Sequence, residues 1–295
     1  MTSGATLSWR VLLAEARDAL EEAGLGCPEV DARRLVERAS GLEGSELVLG
    51  LDRQASRRGV AHLEGMVERR RTGEPLQYVV GRWGFRGLDL LVDRRVLIPR
   101  PETEQVVELA LAELARTVGN GSCPVVDLGT GSGAIALSVA VEVMSSQVWA
   151  SDVSASALAV ARANLAGIGR PGARVRLVEG DWFAALPPGL AGRVDLVVAN
   201  PPYVAEGDGL PVEVAGWEPE EALVAGPAGT EHLERIVAEA PAWLAPRGSL
   251  VLELAPHQAA QMVAAAGAAG FAHVEVRPDL AGRDRVLVAR AGPRR

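Results

Sequence analysis

The chain has no lysine, only two cysteines and few aromatic side chains. All 30 basic residues are arginine, and aromatic residues make up 4% of its 295 positions. Cys27 and Cys123 are too few and too far apart in the chain to form a disulfide framework. The four histidines show no metal-ligand spacing, so we expect no structural metal.

Long apolar runs are also missing. None approaches the roughly 18 residues of a membrane span, and the N-terminus lacks the charged-then-apolar pattern of a secretory signal. We therefore expect a cytoplasmic protein without a membrane partner. The net charge of -8 argues against a stable nucleic acid partner, because phosphate binding requires clustered cations. With 48% hydrophobic residues, the chain can bury one large or two smaller cores, and we expect a monomer.

The chain divides into three parts by pattern. Residues 1–73 show apolar residues at helical spacing and no strand-like alternation, which predicts a small helical domain. Within it, the run Arg69-Arg70-Arg71 is typical of a solvated helix end. Residues 74–98 follow a Gly-Glu-Pro break and predict a hairpin linker. Residues 99–295 alternate apolar helices with short apolar strands, which predicts an α/β domain with a mostly parallel sheet.

One predicted strand of this domain ends in an unusual tetrapeptide. The apolar run Val194–Ala199 is followed by Asn200-Pro201-Pro202-Tyr203, at the edge where open α/β sheets bind ligands. The prolines have no N–H, so nearby carbonyls are left as acceptors, and the asparagine adds a side-chain acceptor. Tyr203 offers an aromatic face. The segment is therefore suited to grip a planar NH2 group, of an amide or of an exocyclic base amine.

A second strand leads into a glycine-rich loop. Cys123–Leu128 precedes Gly129-Thr130-Gly131-Ser132-Gly133, and an apolar helical stretch begins at Ala134. Glycines let a backbone approach a ligand closely, and a helix start offers free N–H groups. The loop also satisfies the loose dinucleotide pattern, so alone it indicates a nucleotide-like cofactor without saying which.

Acidic residues at neighbouring strand ends narrow the choice of cofactor. Asp152 lies 19 residues after Gly133, close to the offset expected for a carboxylate on ribose hydroxyls. Asp127 could hold a cationic amino group, which S-adenosylmethionine has and a nicotinamide cofactor lacks. Asp181 and Trp182 could hydrogen-bond and stack an adenine. The residues thus predict a transferase that moves a methyl group from S-adenosylmethionine to an amide or amine nitrogen.

An ordered set of motifs makes the chain resemble the HemK/PrmC family, the release factor glutamine N5-methyltransferases. Besides the segments already named, the set includes Gly73–Tyr78, Phe85, Leu97–Glu104, Trp217-Glu218-Pro219 and Asp279–Arg285. The resemblance implies a class I (Rossmann-like) S-adenosylmethionine-dependent methyltransferase domain, with a seven-stranded sheet and an antiparallel edge. It implies a release factor as the partner, methylation at the glutamine of the GGQ motif, and S-adenosylhomocysteine as the product.

The resemblance also assigns roles. It implies that the glycine loop, Asp152, Trp182 and Asn200 bind the cofactor. It implies that the Asn200–Tyr203 tetrapeptide binds the substrate glutamine and that Phe85 lies at the substrate pocket. Two positions, Gly84 and Ala255, depart from the family pattern without touching the tetrapeptide.

Docking and alternative functions follow from the remaining features. We expect the helical domain to dock the protein substrate, and the glycine-rich stretch 204–230 to be a substrate-binding loop or a loop packed on its own domain. The alternatives are methylation of an exocyclic amine of DNA or RNA, or of a ribosomal protein glutamine. A nicotinamide oxidoreductase and a non-catalytic cofactor-binding protein are further alternatives.

Overall fold

Two compact units make up the chain. The computed structural model describes residues 7–117 and 121–293. Its first unit comprises residues 7–82 and Val212–Trp217, and its second comprises Trp83–Pro211 and residues 218–293. Within the described residues, no helix combines the length and the apolar character that crossing a membrane requires.

The first unit is helical, as the sequence predicts. Its helices are α1 Trp9–Glu22, α2 Pro28–Ser40, α3 Ser45–Gly50, α4 Arg57–Arg71, α5 Leu76–Val80 and the short α9 Val212–Ala215. Serine hydroxyls cap the N-termini of two of these helices. The Ser8 hydroxyl accepts from the N–H of Val11, and the Ser56 hydroxyl accepts from the N–H of Gly59. The core of this unit contains Leu20, Leu35 and Val36, all fully buried.

The arginines at the end of α4 differ from one another. Arg71 is about half exposed and pairs with Glu68, as a solvated helix end would. Arg70 is not solvated, because its Nε donates to the buried Asp31 carboxylate at 2.7 Å and so joins α4 to α2. Arg69 forms a fork on Glu74 at 2.6 and 2.9 Å. The prediction of a solvated run was therefore wrong at Arg70, where the partner lies 39 residues away.

The predicted hairpin forms between β1 Arg82–Phe85 and β2 Leu88–Leu91. Its two turn residues, Arg86 and Gly87, both have positive φ, of 45° and 78°. Two successive positive φ values match the twist of paired strands, which explains why a glycine stands here.

A seven-stranded sheet forms the second unit, in the order β10-β11-β9-β6-β3-β4-β5. Its strands are β3 Cys123–Leu128, β4 Ser146–Asp152, β5 Val175–Glu179, β6 Val194–Ala199, β9 Leu244–Glu253, β10 His273–Pro278 and β11 Asp284–Arg290. The strands from β9 to β5 are parallel, while β11 pairs antiparallel with both β9 and β10. The predicted mostly parallel sheet with an antiparallel edge is confirmed. A small parallel pair, β7 Val204–Ala205 and β8 Val224–Gly226, lies outside it.

Helices cover both faces of this sheet. They are α6 Pro101–Thr117, α7 Ala134–Glu142, α8 Ala155–Gly167, α10 Glu231–Trp243 and α11 Ala259–Ala268. Successive residues of β3 point to opposite faces, so Val125 joins one core and Val126 the other. The first core includes Val106 of α6, and the second includes Ile236 of α10. Burial on both faces explains the nearly continuous apolar sequence of the parallel strands.

The strand order reverses between β3 and β6. From β3 the chain proceeds through β4 to β5 on one side, and β6 then returns to pair with β3 on the other. Leu128 and Ala199 are register partners at the carboxyl ends of these two strands. The glycine loop and the Asn200–Tyr203 tetrapeptide therefore begin side by side, at the switch point where open α/β sheets bind ligands.

Candidate functional site

A cavity of about 380 Å³ lies over the carboxyl ends of the parallel strands in the second unit. Most of the predicted site residues line it: Gly129, Thr130, Gly131, Ser132, Asp152, Asp181, Trp182, Asn200 and Pro202. Five others are absent from its wall, namely Phe85, Asp127, Gly133, Pro201 and Tyr203. The structure thus separates the predicted site residues into those that line this cavity and those that do not.

The glycine loop is shaped by positive φ angles and held by Asp152. Gly129, Gly131 and Gly133 have φ of 69°, 54° and 87°, a region that favours glycine. One carboxylate oxygen of Asp152 accepts from the N–H of Gly131 at 2.8 Å, and the other accepts from Ser154 at 2.9 Å. Burial raises the pKa of Asp152, against the opposing effect of these backbone hydrogen bonds. The carboxylate therefore fixes the loop while its own oxygens stay at the cavity wall.

Asp127 lies beneath the loop and is fully buried. Its Oδ2 accepts from the Thr130 hydroxyl at 2.6 Å and from the N–H of Ala136 at 3.1 Å. Its Oδ1 has no hydrogen-bond partner among the described residues. Burial raises the pKa of this carboxyl to about 7. A buried carboxylate oxygen without a partner has unused capacity to accept from a donor in a ligand.

Trp182 forms part of the cavity wall in a strained backbone conformation. Its φ is +47°, and its indole ring lies so close to Gly129 that a Cβ there would come within 3.2 Å of it. The ring also contacts His232, with centroids 5.2 Å apart and planes tilted by 58°. The neighbouring Asp181 accepts from Arg235 at 2.7 Å. Strain at a ligand-facing residue is typical of functional sites.

His232 was not predicted at the site, because the four histidines have no ligand spacing. The structure places its ring at the cavity wall, on α10. Burial lowers the pKa of His232, so the imidazole is neutral near pH 7. A neutral ring suits a stacking surface better than a charge would. A lone histidine at a helix start gives no sequence signal of this role.

The tetrapeptide places its polar groups in two directions. Asn200 faces the cavity, and its Nδ2 donates to the hydroxyl of Thr103 at 3.1 Å. The Tyr203 ring packs against the second core, and its hydroxyl donates to Glu253 at 3.4 Å. Burial raises the pKa of Tyr203 to about 12, so the phenol stays neutral. The Tyr203 carbonyl accepts from the Gln258 amide at 2.9 Å, which fixes the end of the segment.

Phe85 belongs to the hydrophobic core rather than to the cavity wall. It is 2% exposed and shares a cluster with Leu90 and Val106. A role for Phe85 at the substrate pocket stays a prediction.

The 204–230 stretch contributes to the site through Glu218. This buried carboxylate accepts from the N–H of Ile98 at 3.0 Å and pairs with Arg100. The residues that follow line the cavity: Pro219, Glu221, Ala222 and Val224. The Trp-Glu-Pro motif marked this loop in the sequence, but its ion pair spans 118 residues and could not be read from spacing.

Two families match parts of the chain. The family described as "PrmC N-terminal domain" matches residues 11–81, and "Methyltransferase small domain" matches residues 106–214. Among solved structures, a methyltransferase from Pyrococcus furiosus matches with a TM-score of 0.50 and 21% identity, covering 70% of this chain and 90% of its own. The hMettl16 catalytic domain, solved with an RNA hairpin, gives a TM-score of 0.53 at 14% identity, covering 79% and 81%. The fold is that of the Rossmann-like methyltransferases.

Sequence relatives define the family more narrowly. A protein of Deinococcus radiodurans named "Release factor glutamine methyltransferase" is 40% identical over 95% of this chain and 98% of its own. Proteins of the same name from Burkholderia pseudomallei and Cereibacter sphaeroides are 43% and 40% identical, over 87% and 92% of this chain and 90% and 94% of their own. The chain belongs to the release factor glutamine methyltransferase family.

Proposed function

We propose that this protein transfers the methyl group of S-adenosylmethionine to the side-chain amide N5 of the glutamine in the GGQ motif of peptide chain release factors. The main observation is the position of Asn200–Tyr203 at the switch point, with Asn200 and Pro202 at the wall of the cavity that the glycine loop borders. The relatives that bear this activity in their names match nearly the whole chain, including its helical first unit.

The cavity has the size and the polar groups that the methyl donor requires. Its volume of about 380 Å³ falls within the usual range for cofactor pockets. We propose that the loop Gly129–Gly133 and Asp152 hold the amino acid and ribose parts, and that Trp182 stacks the adenine with Asp181 beside it. The unpartnered Oδ1 of Asp127 supports a role for this carboxyl beneath a cationic group. When bound, the donor supplies an electrophilic methyl group on sulfur and leaves as S-adenosylhomocysteine.

The chain's own contribution is to position the amide. We propose that the Asn200 side-chain oxygen and the carbonyls of the proline segment accept the two N–H hydrogens of the glutamine, and that Tyr203 supports the segment. An amide nitrogen is a weak nucleophile, so fixed orientation is the main source of rate. These acceptors interact more strongly as positive charge develops on nitrogen, which favours the transition state over the ground state. The methylated nitrogen is acidic and can lose its proton to water.

Selection of one glutamine within a folded protein requires contacts away from the reacting atoms. We propose that residues 1–73 form the docking domain and residues 74–98 the hairpin linker, with residues 99–295 forming the catalytic domain. Two adjacent apolar side chains in α3, Val48 and Leu49, are 57% and 82% exposed and form a candidate contact. Because the proposed substrate acts in translation, we expect the reaction in the cytoplasm.

Isotope transfer tests this function. The purified protein is incubated with methyl-labelled S-adenosylmethionine and a release factor, beside the same factor with its GGQ glutamine replaced by alanine. We expect label on the intact factor alone. Label on both factors would move the acceptor atom elsewhere. Label on a ribosomal protein, DNA or RNA, with none on the factor, would overturn the proposal in favour of those substrates.

A further inference from the structure

A line of hydrogen bonds runs from Asn200 through Thr103, which also lines the cavity, to Glu253. The Asn200 Nδ2 donates to the Thr103 hydroxyl at 3.1 Å, and that hydroxyl donates to Glu253 Oε2 at 2.8 Å. Thr103 is at the start of α6, and Glu253 is the last residue of β9. Both are buried, with 4% and 1% exposure. Three parts of the second unit that are distant in sequence are thus joined next to the acceptor of the proposed clamp.

The donor and acceptor capacities of these groups determine which atom donates in each hydrogen bond. A carboxylate only accepts, so the single proton of the Thr103 hydroxyl goes to Glu253. The Thr103 oxygen then has only lone pairs to offer to Asn200. Asn200 must present its NH2 group to Thr103, and its Oδ1 consequently points to the opposite side of the amide. The orientation of an asparagine amide is decided by such partners, because its two ends have the same shape.

On this basis we infer that Thr103 and Glu253 are positioning residues that fix the amide of Asn200 with its oxygen, not its NH2 group, toward the substrate nitrogen. The inference rests on the proposed function, in which the substrate is itself an NH2 group. An asparagine turned the other way would oppose donor to donor and repel the glutamine amide. The carboxylate acts through Thr103 and touches neither substrate nor methyl donor.

Charged and polar neighbours define when Glu253 is ionised. Burial raises the pKa of Glu253 to about 7, while the hydrogen bond from Thr103 and the positive charge of Arg285 on β11 act in the opposite direction. The negative charge of Glu102 on α6 acts in the same direction as burial, and the value of about 7 includes all of these effects on the pKa. The Tyr203 hydroxyl is a second donor, to Glu253 Oε1 at 3.4 Å. Glu253 therefore faces two hydroxyl donors, and the ionised carboxylate provides an acceptor for each.

Protonation or amidation removes one of those acceptors. A protonated carboxyl group and a glutamine amide each have one acceptor end and one donor end. With either of them, the Thr103 hydroxyl loses its acceptor in part of the molecules and is free to donate to Asn200 instead. The Asn200 amide is then no longer restricted to the productive orientation. Protonated wild type and the E253Q variant should consequently behave alike.

Substitutions at Thr103 give the first test, with kcat measured at saturating S-adenosylmethionine and release factor. Thr103→Val keeps the shape and removes the hydroxyl, and we expect kcat to fall by roughly tenfold or more, the usual effect of losing a buried hydrogen-bond partner. Thr103→Ser restores the hydroxyl and should recover most of kcat. Because Thr103 lines the cavity, donor affinity is measured by calorimetry for both variants, and kcat is compared only at donor concentrations that saturate each of them. Equal kcat for the valine and serine variants would overturn the inference.

The pH profile of kcat tests Glu253. For the wild type, the productive form is the ionised one, so kcat should fall as pH drops through about 7. Glu253→Gln should lack this limb, so the two rates converge below about pH 6 and differ several-fold above about pH 8. Profiles that stay parallel would assign Glu253 a purely structural role. Asp127, whose pKa burial also raises to about 7, is present in both proteins, so only the difference between the two profiles is assigned to Glu253.

A matched control exists on the same two elements. Ser249 on β9 donates to Glu113 on α6 at 2.6 Å, another buried hydroxyl–carboxylate pair without a link to Asn200. Ser249→Ala should lower thermal stability and leave the shape of the pH profile unchanged. If the wild type labels no release factor, the proposed function fails; if it does and the Thr103 and Glu253 variants match the control, only this inference fails.

Discussion

Single side chains at the cavity differ in how much of their hydrogen-bonding capacity is already used within the protein. The carboxylate oxygens of Asp152 each accept a hydrogen bond from one backbone N–H, whereas the Asn200 amide donates through its NH2 group to the Thr103 hydroxyl. Among the described residues, none donates a hydrogen bond to the Asn200 oxygen that would compete with a ligand. This difference separates residues that shape the site from the residue that is ready to bind the reacting nitrogen.

Asn200→Ala tests that distinction. Removing the side-chain acceptor should lower kcat by about 10²- to 10³-fold, the range found when one preorganised transition-state partner is deleted. The donor cavity keeps its glycine loop and Asp152, so affinity for S-adenosylmethionine should remain close to wild type. Single-turnover label transfer gives the rate, and calorimetry gives the affinity. Unchanged turnover would refute the clamp, and loss of donor binding alone would reassign Asn200 to the cofactor.

Between elements, one buried asparagine connects the hairpin to the glycine loop. Asn164 on α8 accepts from the N–H of Leu91 at 2.7 Å and donates to the Leu91 carbonyl at 3.0 Å. Its second donor goes to the carbonyl of Ser132 at 2.9 Å. The strand β2 and the cofactor loop are therefore held by the same side chain. We therefore expect removal of the Asn164 side chain to affect both β2 and the glycine loop.

Asn164→Ala should lower the free energy of unfolding by about 2 to 3 kcal/mol, because it leaves part-buried backbone groups of Leu91 and the buried carbonyl of Ser132 without their partner. Urea denaturation measures the loss. The same variant should weaken S-adenosylmethionine binding several-fold, since the Ser132 end of the loop is no longer held. Arg162→Ala, at an exposed position of the same helix, is the control and should change neither quantity. If Asn164→Ala kept the free energy of unfolding of the wild type but bound the donor more weakly, Asn164 would not stabilise both β2 and the glycine loop.

The sequence predicted the strands well where both of their faces are buried. Cys123–Leu128 and Val194–Ala199 have the observed bounds, because a continuous apolar run between turn signals leaves little choice. The start of β9 is different, because the strand begins at Leu244, where its pairing with β6 shifts register. The Ala-Pro-Arg-Gly sequence that follows Leu244 is typical of a turn and gives no strand signal.

Contacts between residues far apart in sequence could not be predicted. Thr103 and Glu253 lie 150 residues apart, and their hydrogen bond exists only because α6 packs on β9. Thr103 belonged to a recognised motif and Glu253 to a segment that departs from the family pattern, yet neither spacing nor composition joins them. The motifs contain residues that line the cavity, Thr103 among them, and packing adds the hydrogen bond from Thr103 to Glu253.

The whole molecule combines a helical unit and an α/β unit, each with its own core. The proposed chemistry requires only the second unit, and docking of the release factor is the role proposed for the first. In that unit, Val48 and Leu49 of α3 expose adjacent apolar side chains, which is unusual for a helix that contacts only solvent.

Leu49→Glu tests docking through α3. A charge placed in an apolar contact is costly to bury, so KM for the release factor should rise by about tenfold while kcat and donor affinity stay unchanged. Met144→Glu is the control, because Met144 is 85% exposed in the other unit, similar to the 82% of Leu49. Steady-state label transfer at varied release factor concentration gives both constants. An equal rise in both variants would point to a general charge effect and contradict docking through α3.

The most direct test of the central claim is the mass of the GGQ-containing peptide, read by tandem mass spectrometry after a release factor has been incubated with S-adenosylmethionine and either the wild type or Asn200→Ala. We expect one added methyl group on the glutamine side chain with the wild type, and an almost unmodified peptide with the variant over the same time. A methyl group on another residue, or equal glutamine methylation by both proteins, would contradict the account.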